Sequence, residues 1–572
     1  MWRPVRFVRL GLGGRAGAAP RPAVVRFGPA LLGLALGVLA LGPALGPGFT
    51  LRYDMVFVPD PPLRLGDGFP RAVPSDQVVA LLSAVVPAEI VQKAILLGLF
   101  TLAASGAAAL AGEALPDGGI VPRLAAAAFY AWNAYLAQRL LIGQWALLLG
   151  YAGLPWAVRA AARGGPWRLA AALLPAAVGG FQAMLVSAMA VLPVAALRTG
   201  RGTGRGTGRG TGRGRAGAAL RASAEAVVVV AVVVAVLSLP WLVLAVGSDA
   251  VTDPAGVAAF APRADGPFGT LGSLFSLGGI WNSHAAVPGQ DSPGLAAARL
   301  ALALVAVAGF VRIVRGRGPA WGRGLAAGAC AGLLVACAGA FAPGVPRALI
   351  GWWAGFGPFR DGQAYIAPFA LAQAVGVAAV VAALRLSMPA LVAAAAVAVP
   401  VLVLPTFALG ASGRLGAAGY PAEWRRVQAV VNGDPAPGAL LSLPWSAYRA
   451  FAWNSGRVVL DPATKMFSRP VLWDETLVVG VPGGGRIRVG AESPRTRRVG
   501  EVASALTAAG GLAGGGCPPA GTGPAASAMA DGLRREGVRY VLAAGLNENA
   551  FLSCLPGAIP VHRGRELLLV RL

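Results

Sequence analysis

The residue best placed for chemistry is Asp54, in the stretch LRYDMVFVP from Leu51 to Pro59. It follows the first long apolar run by a few residues, so its carboxylate falls near the headgroup plane of a bilayer. A lipid-linked substrate presents its phosphate and reactive carbon at that depth. A carboxylate there can serve as general base toward an acceptor hydroxyl or help to hold a divalent metal. The alternative is an ordinary solvated loop acid, which is also the simpler reading of Asp60, Asp67 and Asp76 further along the same loop.

Two arginine-bearing segments offer anion recognition. In GFGPFRDGQAY (Gly355 to Tyr365), Arg360 can fork onto phosphate oxygens while Asp361 orients it. The structural alternative is an interface anchor in which Arg360 and Asp361 pair, aided by Trp352 and Trp353 in an aromatic belt. In NAYLAQRLLIGQW (Asn133 to Trp145), Arg139 lies between two closely spaced apolar runs. A charge there is costly unless it is paired or lines a cavity, which makes Arg139 a second phosphate-ligand candidate. His284, in SLFSLGGIWNSH, is either a loop histidine or a polar group at a substrate mouth. Glu89 and Lys93 have the spacing of an intrahelical pair.

Other chemistries find little support. With two histidines in the chain, a His-rich metal site or a Ser-His-Asp triad is not expected. Of the four cysteines, Cys330 and Cys337 lie in an apolar run and read as small core residues. Cys517 and Cys554 lie in the polar C-terminal region and are a disulfide option if that region is extracytoplasmic. A divalent metal at Asp54 is the one cofactor option raised.

The elements that must position these residues are apolar helices. The chain of 572 residues is 56% hydrophobic and 13% charged, about half the charged fraction usual for a soluble domain. Between Gly28 and Leu409 it forms a series of runs near the roughly 20-residue spanning length. The net charge of +25 fits arginine-rich cytoplasmic loops. No nucleic-acid-binding module accompanies the charge, so no nucleic-acid partner is expected.

The basic segment 1–27 and the charge rule put the N-terminus in the cytoplasm. Thr50 to Val86 then forms the first extracytoplasmic loop, with Asp76 to Val86 as an interfacial helix. Counting Leu169 to Leu197 as two segments broken at Pro175 and Gly179-Gly180 gives about eleven spans. The repeat RTGRGTGRGTGRGTGRGR (Arg198 to Arg215) reads as a disordered cytoplasmic linker, extended to residue 222.

From Gly410 the composition changes. Pro421 to Val431 and Ala525 to Glu536 have helical periodicity. Ala439 to Leu443, Arg457 to Leu460, Val538 to Ala543 and Glu566 to Leu572 read as strands. Alternating helices and short apolar strands predict a small α/β domain over 410–572, placed outside with the C-terminus.

With these residues in view, the chain resembles the GT-C superfamily of polytopic glycosyltransferases. Asp54 occupies the acidic first-loop position and Asp76 to Val86 the interfacial helix. The segment from Tyr130 to Trp156 and the sequence FRDGQAY are similar to actinobacterial members related to the arabinofuranosyltransferases of cell-wall synthesis. One departure is a single Asp before Met in place of paired acids. The resemblance implies a plasma-membrane enzyme that transfers a sugar from a polyprenyl-phosphate donor to an extracytoplasmic glycan, glycolipid or protein. In that reading Asp54 acts on the acceptor, and Arg139 and Arg360 neutralise the departing phosphate. Asp361, His284 and Asp60 line the substrate site, and Trp445, Tyr448 and Trp453 are platforms for sugar faces. The competing readings are a lipid or glycan transporter, which needs ionisable groups at mid-membrane depth, and a non-catalytic envelope-assembly protein that binds through the C-terminal domain.

Overall fold

Long runs of Ala, Leu, Val and Gly can satisfy their backbone in lipid only as helices, and helices dominate the chain. The computed structural model describes residues 22–64, 72–198, 212–247, 252–316, 318–384, 389–480, 485–490, 494–509 and 524–572. Asp67, Cys517 and most of the arginine–glycine repeat lie outside the described residues. The tail of the predicted linker differs from expectation, because helix α9 already begins at Gly212.

In chain order the membrane part comprises α1 (Pro22–Leu41), α2 (Ser75–Ser83), α3 (Ala88–Ala114), α4 (Ile120–Ala131), α5 (Ala134–Leu141), α6 (Trp145–Arg163), α7 (Pro166–Gly179), α8 (Phe181–Leu197) and α9 (Gly212–Val246). After them come α10 (Gly256–Ala259), α11 (Gly269–Phe275), α12 (Pro293–Arg315), α13 (Gly322–Phe341), α14 (Gly344–Trp352), α15 (Ala367–Leu384) and α16 (Pro389–Leu402). Six helices among the described residues are long and apolar enough to cross a membrane, or seven if the pair Ala390–Leu402 and Pro405–Gly413, bent by 69°, is one span.

The apolar run Leu124 to Leu136 is not one continuous helix. Asn133 stops α4 and caps α5: its side chain accepts from the Leu136 amide at 3.1 Å and donates to the Phe129 and Tyr130 carbonyls at 3.0 Å. An Asn oxygen that takes over a free helix-start amide is a strong N-terminal signal. The run Leu169 to Leu197 does divide in two, at Gly180.

Helix α15 is the hub. The apolar window of Gly362–Leu384 is 83% buried inside the protein, against 11% for Gly217–Val246, whose helix α9 rides on α7 and α8. The hub packs tightly against α12, because Gly309 and Gly376 bring the two backbones together and a Cβ on either would collide with a carbonyl of the other helix. Such small-residue contacts are the usual adhesive between helices in lipid. The short helix α2 forms over most of the segment expected to lie at the interface, ending at Ser83, and exposes Leu81 and Leu82.

The C-terminal region is a mixed five-stranded sheet. The short left-handed turn α17 (Ala408–Gly413) leads to β2 (Ala417–Ala418), which pairs with β1 (Phe49–Thr50) of the first loop, and β3 (Ala439–Leu443) follows helix α18 (Ala422–Gly433). Next come β4 (Tyr448–Ala450), β5 (Val458–Leu460), β6 (Val471–Leu472), β7 (Leu477–Gly480), β8 (Arg486–Val489), β9 (Val538–Ala544), β10 (Ile559–Arg563) and β11 (Leu567–Arg571). The sheet order is β10-β11-β9-β3-β6, with β3 parallel to β6 and β9. Successive strand residues face opposite sides, and the burial follows this rule. Leu440, Tyr540, Leu542, Leu567 and Leu569 join the core that contains Trp424 of α18 and extends into the first loop. Leu441, Leu443, Val541, Leu568 and Val570 pack with Val499, Leu506 and Leu533 on the other face. Cys554 is buried in this second core.

Candidate active site

The start of the first loop is held at many points between Gly48 and Asp60. Glu89 of α3 accepts from the Gly48 amide at 2.9 Å. Gln92 of the same helix closes a pair with Thr50, accepting from its amide at 2.9 Å and donating to its carbonyl at 2.7 Å. Glu89 therefore serves the loop backbone, and no ion pair with Lys93 occurs among the described residues. Asn454 donates to the Leu51 carbonyl at 3.2 Å, and Tyr420 to the Phe57 carbonyl at 3.0 Å. Gln428 donates to the Pro59 and Asp60 carbonyls at 2.8 and 3.0 Å.

Asp54 lies at the centre of this grip. Its amide donates to the Ile142 carbonyl at 3.2 Å, at the junction between α5 and α6. The preceding Tyr53 has a φ of 45°, in the left-handed region. Tyr53 is locked to β5 by its amide on the Val458 carbonyl at 2.8 Å and by the Leu460 amide on its own carbonyl at 2.9 Å. The half-buried Asp54 carboxylate accepts from the Tyr448 hydroxyl at 2.6 Å. Asp54 thus sits where the helical part meets the C-terminal region.

Three arginines gather beside this turn. Arg52 donates to the carbonyls of Leu141 and His284, each at 2.9 Å, and of Arg414 at 3.4 Å. Arg414 shares the His284 carbonyl at 3.0 Å and also reaches that of Ala286 at 2.8 Å. Burial pushes the Arg52 guanidinium below its ordinary value, and the nearby charges of Arg414 and Arg457 push the same way. Among the described residues no carboxylate pairs with Arg52, Arg414 or Arg457. Like charges gathered without a counter-ion favour an anion. A turn with φ between 51° and 70° at Leu409, Gly410, Ala411 and Ser412 delivers Arg414 to this cluster. A left-handed run of ordinary residues costs roughly 1–2 kcal/mol per residue, so the surrounding packing must hold it.

The other sequence candidates fall in different places. Arg139 is fully buried and does not reach the Asp54 carboxylate. Its guanidinium binds both oxygens of Asp361, at 2.5 and 2.8 Å, and also Gln363 at 2.7 Å and Gln144 at 2.6 Å. With its donors spent on protein, Arg139 ties the α5–α6 junction to the turn before α15. Asp361 is therefore the partner of Arg139, and Arg360 stands apart, half-buried with its guanidinium 4.8 Å from the Phe260 ring centroid. His284 joins the arginine cluster through its backbone carbonyl while its residue stays exposed, and Asp60 is exposed at the loop end. Trp453 packs against Tyr420, Trp424 and Phe451, a core role.

Sequence reasoning missed Arg52, Arg414, Arg457 and Gly143. The glycine alone left a local signal, as a break in a helical run; the arginines meet only through the fold. A divalent cation needs several oxygen ligands. Among the described residues no three His, Cys, Asp or Glu side chains gather at Asp54 or elsewhere. The residues present do not fit a metal at Asp54.

No protein-family model and no curated protein sequence matches the chain. Solved structures do. The arabinofuranosyltransferase AftD from Mycobacteria is similar over 97% of this chain, with a TM-score of 0.54 and 16% identity. A point mutant of AftD gives a TM-score of 0.55, also at 16% identity over 97% of this chain. The chain spans 40 to 42% of the length of these AftD chains. A more distant likeness, with a TM-score of 0.43 and 12% identity, covers 91% of this chain and 69% of the archaeal oligosaccharyltransferase AglB from Archaeoglobus fulgidus. The protein is a membrane protein that shares the fold of the solved arabinofuranosyltransferase AftD.

Proposed function

We propose that this protein is a membrane glycosyltransferase that moves a sugar from a polyprenyl-phosphate donor to an extracytoplasmic cell-envelope acceptor: a glycan, a glycolipid or a protein. The observation that carries the reading is the junction itself. A fixed carboxylate, Asp54, lies in a first loop whose turn three arginines adjoin, none of them with an acidic partner among the described residues. In this reading Asp54 takes the proton of the acceptor hydroxyl as its oxygen bonds to the sugar carbon. The bond from that carbon to the phosphate oxygen breaks, and the electron pair leaves with the polyprenyl phosphate. Arg52, Arg414 and Arg457 offset the charge that develops on the phosphate. Arg139 supports the junction and does not touch the donor. Arg360, whose guanidinium lies over the Phe260 ring, remains a proposed ligand for the departing phosphate.

The proposed topology has eleven crossings, with α4, α6, α7 and α8 added to the seven longer ones. The N-terminus is then cytoplasmic and 410–572 extracytoplasmic, in the plasma membrane. Surrounding lipid covers the exposed faces of α9 and α2.

The likeness to an arabinofuranosyltransferase makes radiolabelled polyprenyl-phosphate arabinofuranose the first donor to test. Purified full-length protein is expected to transfer label to an envelope glycan acceptor. An Arg52→Gln, Arg414→Gln double variant is expected to lose transfer by about a hundred-fold, from two charge-assisted contacts. Equal transfer by the double variant removes these arginines from the reading.

A further inference from the structure

Tyr448 reaches Asp54 from the opposite end of the chain, and its setting is built for that contact. Its hydroxyl donates to Asp54 Oδ1 at 2.6 Å, the length of a charge-assisted O–H···O bond. Its ring packs edge-on against Tyr53 with centroids 6.0 Å apart and planes at 65°. Tyr448 opens β4, where it pairs with Leu460 of β5. Leu460 in turn bonds the Tyr53 carbonyl. The Asp54 turn and the tyrosine are therefore fixed to the same hairpin.

That hairpin is anchored from behind. Arg449 pairs with Asp461 at 3.0 Å, with both side chains buried, and donates to the Pro444 carbonyl at 2.7 Å and to Ser442 Oγ at 3.1 Å. A buried pair of this kind does little for net stability, but it fixes where its neighbours point.

A general base must present one oxygen to the acceptor in a set orientation, because small misplacements cost large factors in rate. Tyr448 engages Oδ1 and leaves Oδ2 for the incoming hydroxyl. We propose that Tyr448 is a positioning residue for Asp54, so that the C-terminal region completes the active site. The inference rests on the role given to Asp54 above.

The test compares four forms of the full-length protein in the sugar-transfer assay: the parent, Asp54→Asn, Tyr448→Phe, and the chain carrying 4-aminophenylalanine at position 448. Tyr448→Phe keeps the ring and its packing on Tyr53. It is expected to lower kcat about ten-fold, the worth of one hydrogen bond to a charge, with donor KM and the thermal midpoint unchanged. The amino group of the non-natural residue can donate to Oδ1 and is expected to restore most of the lost kcat. A purely structural tyrosine gives neither the isolated kcat effect nor the rescue. If Asp54→Asn is inactive while Tyr448→Phe matches the parent, or while the amino residue fails to restore turnover, this inference alone falls. If Asp54→Asn matches the parent, or the parent transfers no sugar, the functional reading falls and takes the inference with it.

Discussion

Gly143 lies directly against the backbone of the Asp54 turn. Its φ is 84°, and a Cβ there would collide with the Met55 amide nitrogen and the Arg52 carbonyl oxygen. Both facts require glycine. Gly143→Ala is expected to push the Asp54 turn off the α5–α6 junction and to lower turnover by roughly a hundred-fold. Sugar transfer beside a detergent melting curve checks this: a folded variant with parental turnover contradicts it.

The Arg139–Asp361 clamp gives a stability prediction. Both groups are buried and paired, so removing one strands a charge. Asp361→Ala is expected to destabilise the protein by about 3–5 kcal/mol. Replacing both partners with apolar residues, as in Arg139→Met with Asp361→Leu, is expected to cost less than that single change. Arg139→Lys cannot reproduce the fork and should behave like a loss. Melting temperatures across these variants decide the matter, and a double variant worse than Asp361→Ala would show that the pair itself is stabilising.

How much of this was legible beforehand follows from the range of the interactions. The strands Ala439 to Leu443 and Val538 to Ala543, and the helix over Pro421 to Val431, announce themselves by local periodicity, and all three occur. Asp54 stands out because its position after an apolar run is also a local property. Its neighbours are not local. Tyr448 lies 394 residues away, and Arg414 meets Arg52 over a separation of 362. Arg139 drew notice as a phosphate ligand and Asp361 as the residue that orients Arg360, yet Arg139 and Asp361 satisfy one another across 222 residues. A single sequence states the cost of burying a charge but not which partner offsets it. The short elements β4, β6, β7 and β8 carry too few residues for a periodic signal and depend on tertiary pairing.

Acid sensitivity of the C-terminal region follows from Asp434. Hydrogen bonds from Arg539 and Tyr540, and from the Ala436 amide, hold its carboxyl well below the usual carboxylate range. A depressed folded-state value contributes stability above the unfolded value near pH 4, and that contribution is lost as pH falls toward the folded value. Stability of the full chain is therefore expected to decline from about pH 4 downward. Asp434→Asn should flatten that decline while being less stable at neutral pH. An unchanged acid profile in the variant would assign the sensitivity to other groups.

Chelation provides an independent check on the charges around Asp54. Because no cluster of His, Cys, Asp or Glu side chains accompanies that carboxylate among the described residues, transfer is expected to survive exhaustive treatment with a chelator within about two-fold. Loss of activity on chelation, restored by a divalent cation, would mean that a metal enters through residues outside this set.

The most direct measurement compares single-turnover sugar transfer by the parent protein and Asp54→Asn, using saturating radiolabelled donor and acceptor. The amide keeps the shape and can still accept from Tyr448, but it cannot take up the acceptor's proton. A fall in rate of at least a hundred-fold, with donor binding unchanged, is the predicted result. Transfer by Asp54→Asn at the parental rate would contradict the assignment of Asp54 as the base.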